Sequence, residues 1–189
     1  MFSGKSSLLL NYERRFTIAK KNILTINHSF DNRYSDDCKI TTHDKIVSSS
    51  KHHMTVSTQH FNEIIKENYG SFDDFDVIII DEIQFFENLV GFITHWTDNG
   101  KIVIGAGLNG DYRMRPFSNM NTLFSIADKI IHITATCSCC GNEAPFTKRL
   151  LKDNQEQVVI GGAESYEPRC RKCFDTNQAD KKQRRSTTV

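Results

Sequence analysis

Apolar side chains recur along this chain with two periods, one typical of strands and one typical of helices. Short apolar runs predict strands at residues 23–26, 77–80, 102–104 and 130–133. The run Val77–Ile80 consists only of β-branched residues, which is typical of a strand buried on both faces of a parallel sheet. We therefore expect a sheet that is covered by other elements on both faces.

Between these runs, apolar residues are spaced as on one face of a helix. Helices are predicted over Ser6–Ala19, from Ser57 or Thr58 to Gly70, around Glu87–Thr97 and over Phe117–Ala127. Segment 29–55 is polar and is predicted to be a long mobile loop with one short strand near Ile46. Strands that alternate with helices predict an α/β fold on a parallel sheet.

The character of the chain changes at Cys137. Residues 137–174 carry paired cysteines, several glycines and short apolar stretches, which predict a small second domain after a first domain over residues 1–136. Residues 175–189 are polar and basic, with almost nothing to bury, so we expect a disordered tail.

Charge and composition argue against several classes of protein. The 189 residues include 24 basic and 23 acidic ones, and a net charge of +1 gives no long-range attraction to nucleic acid or an anionic membrane. No apolar run approaches the ~20 residues that span a bilayer, and we expect no signal peptide. Six cysteines without a secretory signal point to a reducing compartment, so a cytoplasmic protein is expected.

The chain opens with the second half of a phosphate-binding loop, Met1-Phe2-Ser3-Gly4-Lys5-Ser6. In the full motif, backbone N–H groups cradle phosphates, the Lys reaches the β- and γ-phosphates, and the Ser hydroxyl holds Mg²⁺. A lone Gly-Lys-Ser also occurs by chance, but its position before an amphipathic helix favours phosphate binding. The first glycine of the motif and the strand that should precede it are missing, so we expect a fragment or an incomplete gene model.

Two adjacent carboxylates follow the most apolar strand. Asp81 comes directly after Ile80, at the strand end where open α/β sheets bind ligands. A carboxylate there can hold a Mg²⁺–nucleotide through water, and Glu82 beside it suits a general base for an attacking hydroxyl. The alternative is an Asp-Glu pair that merely ends a strand in solvent, and the phosphate-binding loop argues against it.

The cysteines form two Cys-x-x-Cys pairs, Cys137 with Cys140 and Cys170 with Cys173. Four thiolates at this spacing suit a tetrahedral zinc ion, and a site closed by four protein ligands is structural rather than catalytic. The alternative is two unrelated pairs of buried thiols, and Cys38 and Cys139 are expected to be free. The histidines of the polar segment, at 43, 52, 53 and 60, offer a metal site as one interpretation, but their spacing matches no defined ligand pattern, so we expect them to be solvated.

These features occur in the order found in one known family. The matching segments are Met1–Ser6, Asp31–Ser35, Thr42–Asp44, Asp81–Phe86, Gly107–Tyr112, Arg115–Phe117, Phe146–Arg149, Val159–Ala163 and Tyr166. Over residues 1–174 the chain resembles the type II thymidine kinases, the cellular and poxvirus type. The resemblance implies a P-loop NTPase-type (RecA-like) parallel sheet flanked by helices, with a small zinc-binding lasso domain at the C-terminal end.

The same resemblance implies an activity and residue roles. The γ-phosphate of ATP would pass to the 5′-hydroxyl of thymidine or deoxyuridine, with Glu82 as the catalytic base. Contacts to ATP and Mg²⁺ would come from Met1, Phe2, Ser3, Gly4, Lys5, Ser6, Asp31, Asn32, Arg33, Asp81, Glu82, Ile83 and Gln84. The nucleoside pocket would draw on Met1, Phe85, Leu108, Tyr112, Phe117, Thr147, Val158, Val159, Ile160, Gly161, Gly162 and Tyr166.

In this family the loop at 158–162 is a lasso that the zinc domain anchors, and the chains usually form homotetramers. Three departures from the family pattern stand out. The phosphate-binding loop is incomplete, Ile83 is bulkier than the usual small residue and is expected to crowd the site slightly, and Tyr112 replaces the usual Phe.

Two other functions stay open from the sequence. One is a catalytically weak or inactive homologue that keeps the fold but binds nucleotide poorly. The other is a zinc-ribbon ATPase that binds nucleic acid, and the near-neutral charge argues against it because such proteins present a basic face.

Overall fold

The computed structural model describes residues 1–28, 48, 50–56, 72–117, 119–150, 156–159 and 161–174. The chain forms two compact units. We call Gly4–Asn109 with Pro116–Ile130 the sheet unit, and Met1–Ser3 with Gly110–Arg115 and the chain from Ile131 onward the cysteine unit. The predicted helix from Ser57 or Thr58 to Gly70, the strand near Ile46 and the tail 175–189 lie outside the described residues.

The sheet unit is built on parallel strands. In the described residues these are β1 (Ile23–His28), β2 (His52–Val56), β3 (Val77–Ile80) and β4 (Ile102–Gly105), in the order β2-β1-β3-β4. All three neighbouring pairs are parallel, and Ile80 of β3 is in register with Ile26 of β1 and Gly105 of β4. The predicted α/β fold on a parallel sheet is therefore confirmed, and the carboxyl ends of β1, β3 and β4 lie side by side.

Helices α1 (Lys5–Ile18), α2 (Leu89–Asp98) and α3 (Met120–Ile126) confirm three of the predicted helices within a few residues. Leu9 of α1 is buried against Ile23 of β1 and against Val77 and Ile79 of β3. Because successive side chains of a strand point to opposite faces, Val77 and Ile79 share the face that α1 covers. This packing places the start of α1 near the carboxyl end of β3.

The prediction of a strand at Ile130–Ile133 is wrong, since these described residues belong to neither a strand nor a helix. Ile130 and Ile131 are 56% and 45% exposed. Their apolar, β-branched character favours an extended backbone, but a strand also needs a neighbour for its hydrogen bonds. Within the described residues, β4 is an edge of the sheet, and Ile102 at its start is 41% exposed.

The segment predicted as a polar loop contains strand β2 at its C-terminal end. His52 and His53 were expected to be solvated loop residues, but they start this strand, and Met54 and Val56 are buried. The alternation of buried and less buried positions is typical of a strand, and the neighbouring histidines and serines hide it in the sequence.

The cysteine unit consists of short antiparallel pairs. Strand β5 (Ala135–Thr136) pairs with β6 (Glu143–Ala144), and β7 (Phe146–Arg149) pairs with β8 (Tyr166–Arg169), which leads into α4 (Arg171–Phe174). Among the described residues of the whole chain, no helix has the length and apolar character that crossing a membrane requires.

Candidate functional site

In the sheet unit, Asp81 joins the end of β3 to the beginning of α1. Its backbone N–H donates to the carbonyl of Ile26 at 2.9 Å, which fixes the residue beside β1. The Ser6 hydroxyl donates to Asp81 Oδ2 at 2.8 Å, and Asp81 Oδ1 accepts the N–H of Glu82 at 2.9 Å. The structure therefore brings together two motifs that lie 75 residues apart in the sequence.

The Asp81 carboxyl group is buried, and burial raises its pKa to about 7. The negative charge of Glu82 acts in the same direction, whereas the Lys5 ammonium and the Ser6 hydrogen bond oppose it. A carboxylate in this position gains from a nearby cation, because a positive charge offsets both desolvation and repulsion by Glu82. The position of the Asp81 carboxylate is therefore suited to contact with the Mg²⁺ ion of a bound nucleotide.

Gly4 provides the turn into α1. Its backbone has φ 80° and ψ 22°, a left-handed conformation that glycine adopts without a steric penalty. Its carbonyl accepts the N–H of Leu8 at 3.0 Å, which closes the first helical turn. Lys5 and Ser6 are thus the first residues of a 14-residue helix, whose N-terminal N–H groups favour an anion.

Glu82 lies in a left-handed turn, with φ 50° and ψ 42°. Such a conformation is uncommon for a residue with a side chain and has to be held by its surroundings. Gln84 Nε2 donates to Glu82 Oε2 at 2.6 Å, and Gln84 Oε1 accepts the N–H of Leu108 at 3.0 Å. Gln84 is buried, so its amide holds the Glu82 carboxylate in a defined position relative to the loop after β4.

Ile83 fits beside glycines of β4 and the following loop. A Cβ atom on Gly105 would lie 2.3 Å from Ile83 Cδ1, and one on Gly107 would lie 2.8 Å from Ile83 Cγ2. Ile83 is itself buried. The bulky Ile83 side chain therefore occupies space that side chains at positions 105 and 107 would need.

Aromatic residues surround the end of β1. The His28 ring lies 5.5 Å from that of Phe85 and 4.9 Å from that of Phe86, and the Phe85 ring lies 6.0 Å from that of Phe117. Burial lowers the pKa of His28, and the charge of Glu82 opposes this shift. Sequence reasoning missed His28, because a histidine at the end of an apolar run has no distinctive spacing.

The cysteine unit contains several residues of the expected nucleoside pocket. The Met1 nitrogen donates to Thr147 Oγ1 at 3.0 Å. The Tyr166 hydroxyl donates to the Val159 carbonyl at 2.9 Å and accepts the Val159 N–H at 3.1 Å. The Arg149 guanidinium lies 3.8 Å from the centre of the Tyr112 ring, and sequence reasoning did not assign Arg149 to the pocket.

The four cysteines of the two Cys-x-x-Cys pairs converge. The Sγ atoms of Cys137, Cys140, Cys170 and Cys173 all lie within 4.8 Å of one another, close enough to share one metal ion. Such a donor set fits zinc. It is the one cluster of this kind in the described residues. Cys139 is exposed and is not part of it.

Some predicted site residues lie outside the described part of the chain. These are Asp31, Asn32, Arg33 and Ile160, together with His43, His60 and the free thiol expected at Cys38. Their assignments stay predictions.

Comparison with known proteins gives the family of the chain. A sequence profile described as thymidine kinase matches residues 1–174. The chain belongs to the thymidine kinase family. It is 37% identical to the thymidine kinase of Choristoneura fumiferana entomopoxvirus over 180 residues, which cover 94% of this chain and 93% of the relative.

Two further thymidine kinases of poxviruses are similar to the same extent. That of vaccinia virus (strain Western Reserve) is 37% identical and that of raccoon poxvirus 38% identical, each over 174 residues that cover 92% of both chains. The resemblance to thymidine kinases of the poxvirus type is thus confirmed, and with it a kinase as the class of enzyme.

Proposed function

We propose that this protein transfers the γ-phosphate of ATP to the 5′-hydroxyl of thymidine or deoxyuridine and so forms the nucleoside monophosphate. Membership of the thymidine kinase family supports the reaction. The observation that carries the proposal is the Ser6–Asp81–Glu82 arrangement, in which the start of α1 and the end of β3 share one hydrogen-bonded site.

The start of α1 has the groups that a triphosphate requires. We assign the phosphate contacts to the N–H groups around Gly4 and to the Lys5 ammonium, and assign the Mg²⁺ contacts to Ser6 Oγ and, through water, to Asp81. Magnesium would supply positive charge to the phosphate oxygens as charge develops on them. Asp31, Asn32 and Arg33 are proposed to contact the phosphates as well.

Glu82 is proposed to accept the proton of the attacking 5′-hydroxyl. A base has to lie within hydrogen-bonding reach of the hydroxyl with its carboxylate correctly oriented. The hydrogen bond from Gln84 provides such orientation, because it fixes one carboxylate oxygen and leaves the other for the substrate. We therefore propose that Gln84 orients the carboxylate of the base Glu82, in addition to the nucleotide contact that the family resemblance implies.

The remaining predictions complete the proposal. Zinc held by Cys137, Cys140, Cys170 and Cys173 would be structural, since the four thiols close the coordination sphere. A homotetramer is proposed from the family resemblance alone, and a cytoplasmic location from the reducing compartment that the cysteines indicate. The same resemblance favours the kinase over a zinc-ribbon ATPase that binds nucleic acid.

The test is phosphorylation of thymidine by the chain with Mg–ATP, alongside Glu82→Gln and the control Glu87→Gln. Glu87 is exposed and lies a few residues after Glu82, so Glu87→Gln makes the same chemical change outside the proposed site. We expect the Glu82→Gln variant to lose turnover by about 10²–10⁴-fold while it keeps its fold and metal content.

The Glu87→Gln variant is expected to match the wild type. A Glu82→Gln variant with near-normal turnover would show that Glu82 is not the base. A wild-type chain that binds zinc and does not phosphorylate thymidine would instead support the inactive homologue.

A further inference from the structure

Arg149 is a buried cation at the end of β7. It is 8% exposed and lies opposite Tyr166 in the β7–β8 pair. Its guanidinium donates to the carbonyl of Glu156 at 2.7 Å, to the carbonyl of Gln157 at 3.1 Å and to the Tyr166 hydroxyl at 2.9 Å. Arginine can make these bonds together because its planar head holds several N–H groups at fixed angles.

The face of the same guanidinium packs on an aromatic ring. Arg149 Cζ lies 3.8 Å from the centre of the Tyr112 ring, within the range of a cation–π contact. One side chain therefore contacts three separate segments of the cysteine unit, namely residues 110–115, residues 156–159 and β8. All three segments carry residues that the family resemblance places in the nucleoside pocket, namely Tyr112, Val159 and Tyr166.

The segment 110–115 is held by a second residue. Asp111 Oδ1 accepts the N–H groups of Arg113 at 2.8 Å and Arg115 at 2.9 Å, and the Arg115 guanidinium bonds to Oδ2. Gln157 Nε2 also donates to Asp111 Oδ2, at 3.3 Å. Because this link does not involve Arg149, the two segments keep a connection when Arg149 is changed.

The Val159 backbone is held by Tyr166, whose hydroxyl bonds to both its N–H and its carbonyl. That hydroxyl also accepts the hydrogen bond from Arg149. Arg149 thus acts on Val159 through Tyr166, and on Glu156 and Gln157 directly. These contacts place it between the ring of Tyr112 and the main chain of 156–159.

We propose that Arg149 is the positioning residue of the nucleoside pocket, which holds residues 156–159 against the Tyr112 ring and thereby sets the affinity for the nucleoside. The inference rests on the proposed function. It predicts an effect on nucleoside binding that is separate from the chemical step and from ATP binding.

The experiment compares wild type with Arg149→Lys and with the matched control Arg171→Lys. Lysine keeps the charge but lacks the planar head, whereas Arg171 lies over the Phe146 ring at 4.5 Å on the surface of the same unit. We expect Arg149→Lys to raise the thymidine KM about 10- to 100-fold, as loss of hydrogen bonds from a charged group implies. The kcat, the ATP KM and the bound zinc should stay close to the wild-type values, and Arg171→Lys should change none of them.

Direct binding of thymidine, measured by calorimetry, should weaken in Arg149→Lys by the same factor as the KM rises. If Arg149→Lys instead lowers kcat, raises the ATP KM and lowers the free energy of unfolding together, Arg149 is a structural residue and the inference is overturned. If Arg149→Lys does not fold, Tyr166→Phe carries the test, because it removes the hydroxyl that joins Arg149 to Val159. The inference then requires a raised thymidine KM in Tyr166→Phe, and an unchanged KM overturns it.

The two proposals fail in different ways. A wild-type chain that neither binds nor phosphorylates thymidine overturns both. A wild-type chain that does both, with an Arg149→Lys variant of unchanged thymidine KM, overturns only the role of Arg149.

Discussion

At the scale of single residues, the site depends on side chains whose positions are fixed by a few short contacts. Glu82 in its left-handed turn is held by Gln84, and Asp81 is buried beside it. Asp81 and Glu82 could be proposed as site residues from the sequence because they follow a strand that is apolar throughout. The hydrogen bonds from Gln84 to Glu82 and Leu108 could not be predicted, because an amide that bridges two segments leaves no pattern in the sequence.

The buried Asp81 makes the stability of the nucleotide-free chain depend on pH. Its pKa is raised to about 7, so between about pH 4 and 7 the folded chain binds a proton that the unfolded chain has released. The free energy of unfolding should therefore fall as the pH rises through this range, by at most ~1.4 kcal/mol per pH unit from this group. Urea unfolding at several pH values would measure the slope, and Asp81→Asn should flatten it.

Asp111 provides the control for this prediction, since its pKa is shifted in the opposite direction from that of Asp81. Desolvation acts to raise the pKa of Asp111, but hydrogen bonds from the Arg115 and Arg113 N–H groups and from the Arg115 side chain keep it below its usual value. Its contribution to stability is present above about pH 4 and is lost as the pH falls below that. Asp111→Asn should therefore change the pH dependence of the free energy of unfolding only below about pH 4. If this variant instead flattened the slope between about pH 4 and 7, the assignment of that slope to Asp81 would be contradicted.

At the scale of elements, the loop after β4 and the turn after β3 fit each other closely. A Cβ on Gly107 would lie 2.5 Å from Gln84 Oε1 and 3.3 Å from the Gln84 backbone nitrogen. The loop therefore approaches the turn only because residue 107 is glycine. This approach also allows Leu108 to donate its N–H to Gln84.

We expect Gly107→Ala to lower kcat by about tenfold or more, because the added methyl group displaces Gln84 and leaves Glu82 without its support. The matched control is Gly91→Ala within α2, where a Cβ would meet no atom within 4 Å. That change should keep kcat and raise the free energy of unfolding by about 0.5–1 kcal/mol. Steady-state kinetics and urea unfolding test both variants, and an unchanged kcat in Gly107→Ala would disprove the support role.

The elements also show what a sequence pattern can predict. Val77–Ile80 was predicted to be a buried parallel strand, and the structure confirms it, because such a run is stable only when both faces are covered. The same kind of run at Ile130–Ile133 is not a strand, since hydrogen bonding to a neighbouring strand is not encoded in the run itself. Strand β2 was missed for the opposite reason, because its buried Met54 and Val56 stand among polar residues.

At the scale of the whole molecule, the sequence predicted the parallel sheet and the convergence of the four cysteines. For the cysteines, the spacing along the chain was sufficient, because few arrangements other than a metal site bring two Cys-x-x-Cys pairs together. Contacts such as those of Arg149 could not be predicted, since they join β7, residues 156–159 and Tyr112 through side-chain geometry alone. These contacts depend on how the segments fold.

The cysteine cluster gives a prediction for the cysteine unit. Cys170→Ser should reduce bound zinc from about one ion per chain to a small fraction, because a tetrahedral structural site needs all four thiolates. Thymidine affinity should fall with the zinc content, since β8 and Arg149 belong to the same unit. Metal analysis and calorimetry would measure the two quantities, and the exposed Cys139→Ser should leave both unchanged. Full zinc content in Cys170→Ser would rule out the four-thiol site.

The edge strand β4 has a consequence for how the protein behaves in concentrated solution. Ile102 is exposed, and in the described residues β4 has a neighbour on one side only. None of the described strands pairs with the other side of β4, and a strand edge without a partner recruits extended segments from other molecules. Self-association through β4 would then compete with correct folding as the concentration rises, so the yield of active enzyme on refolding would be highest in dilute solution.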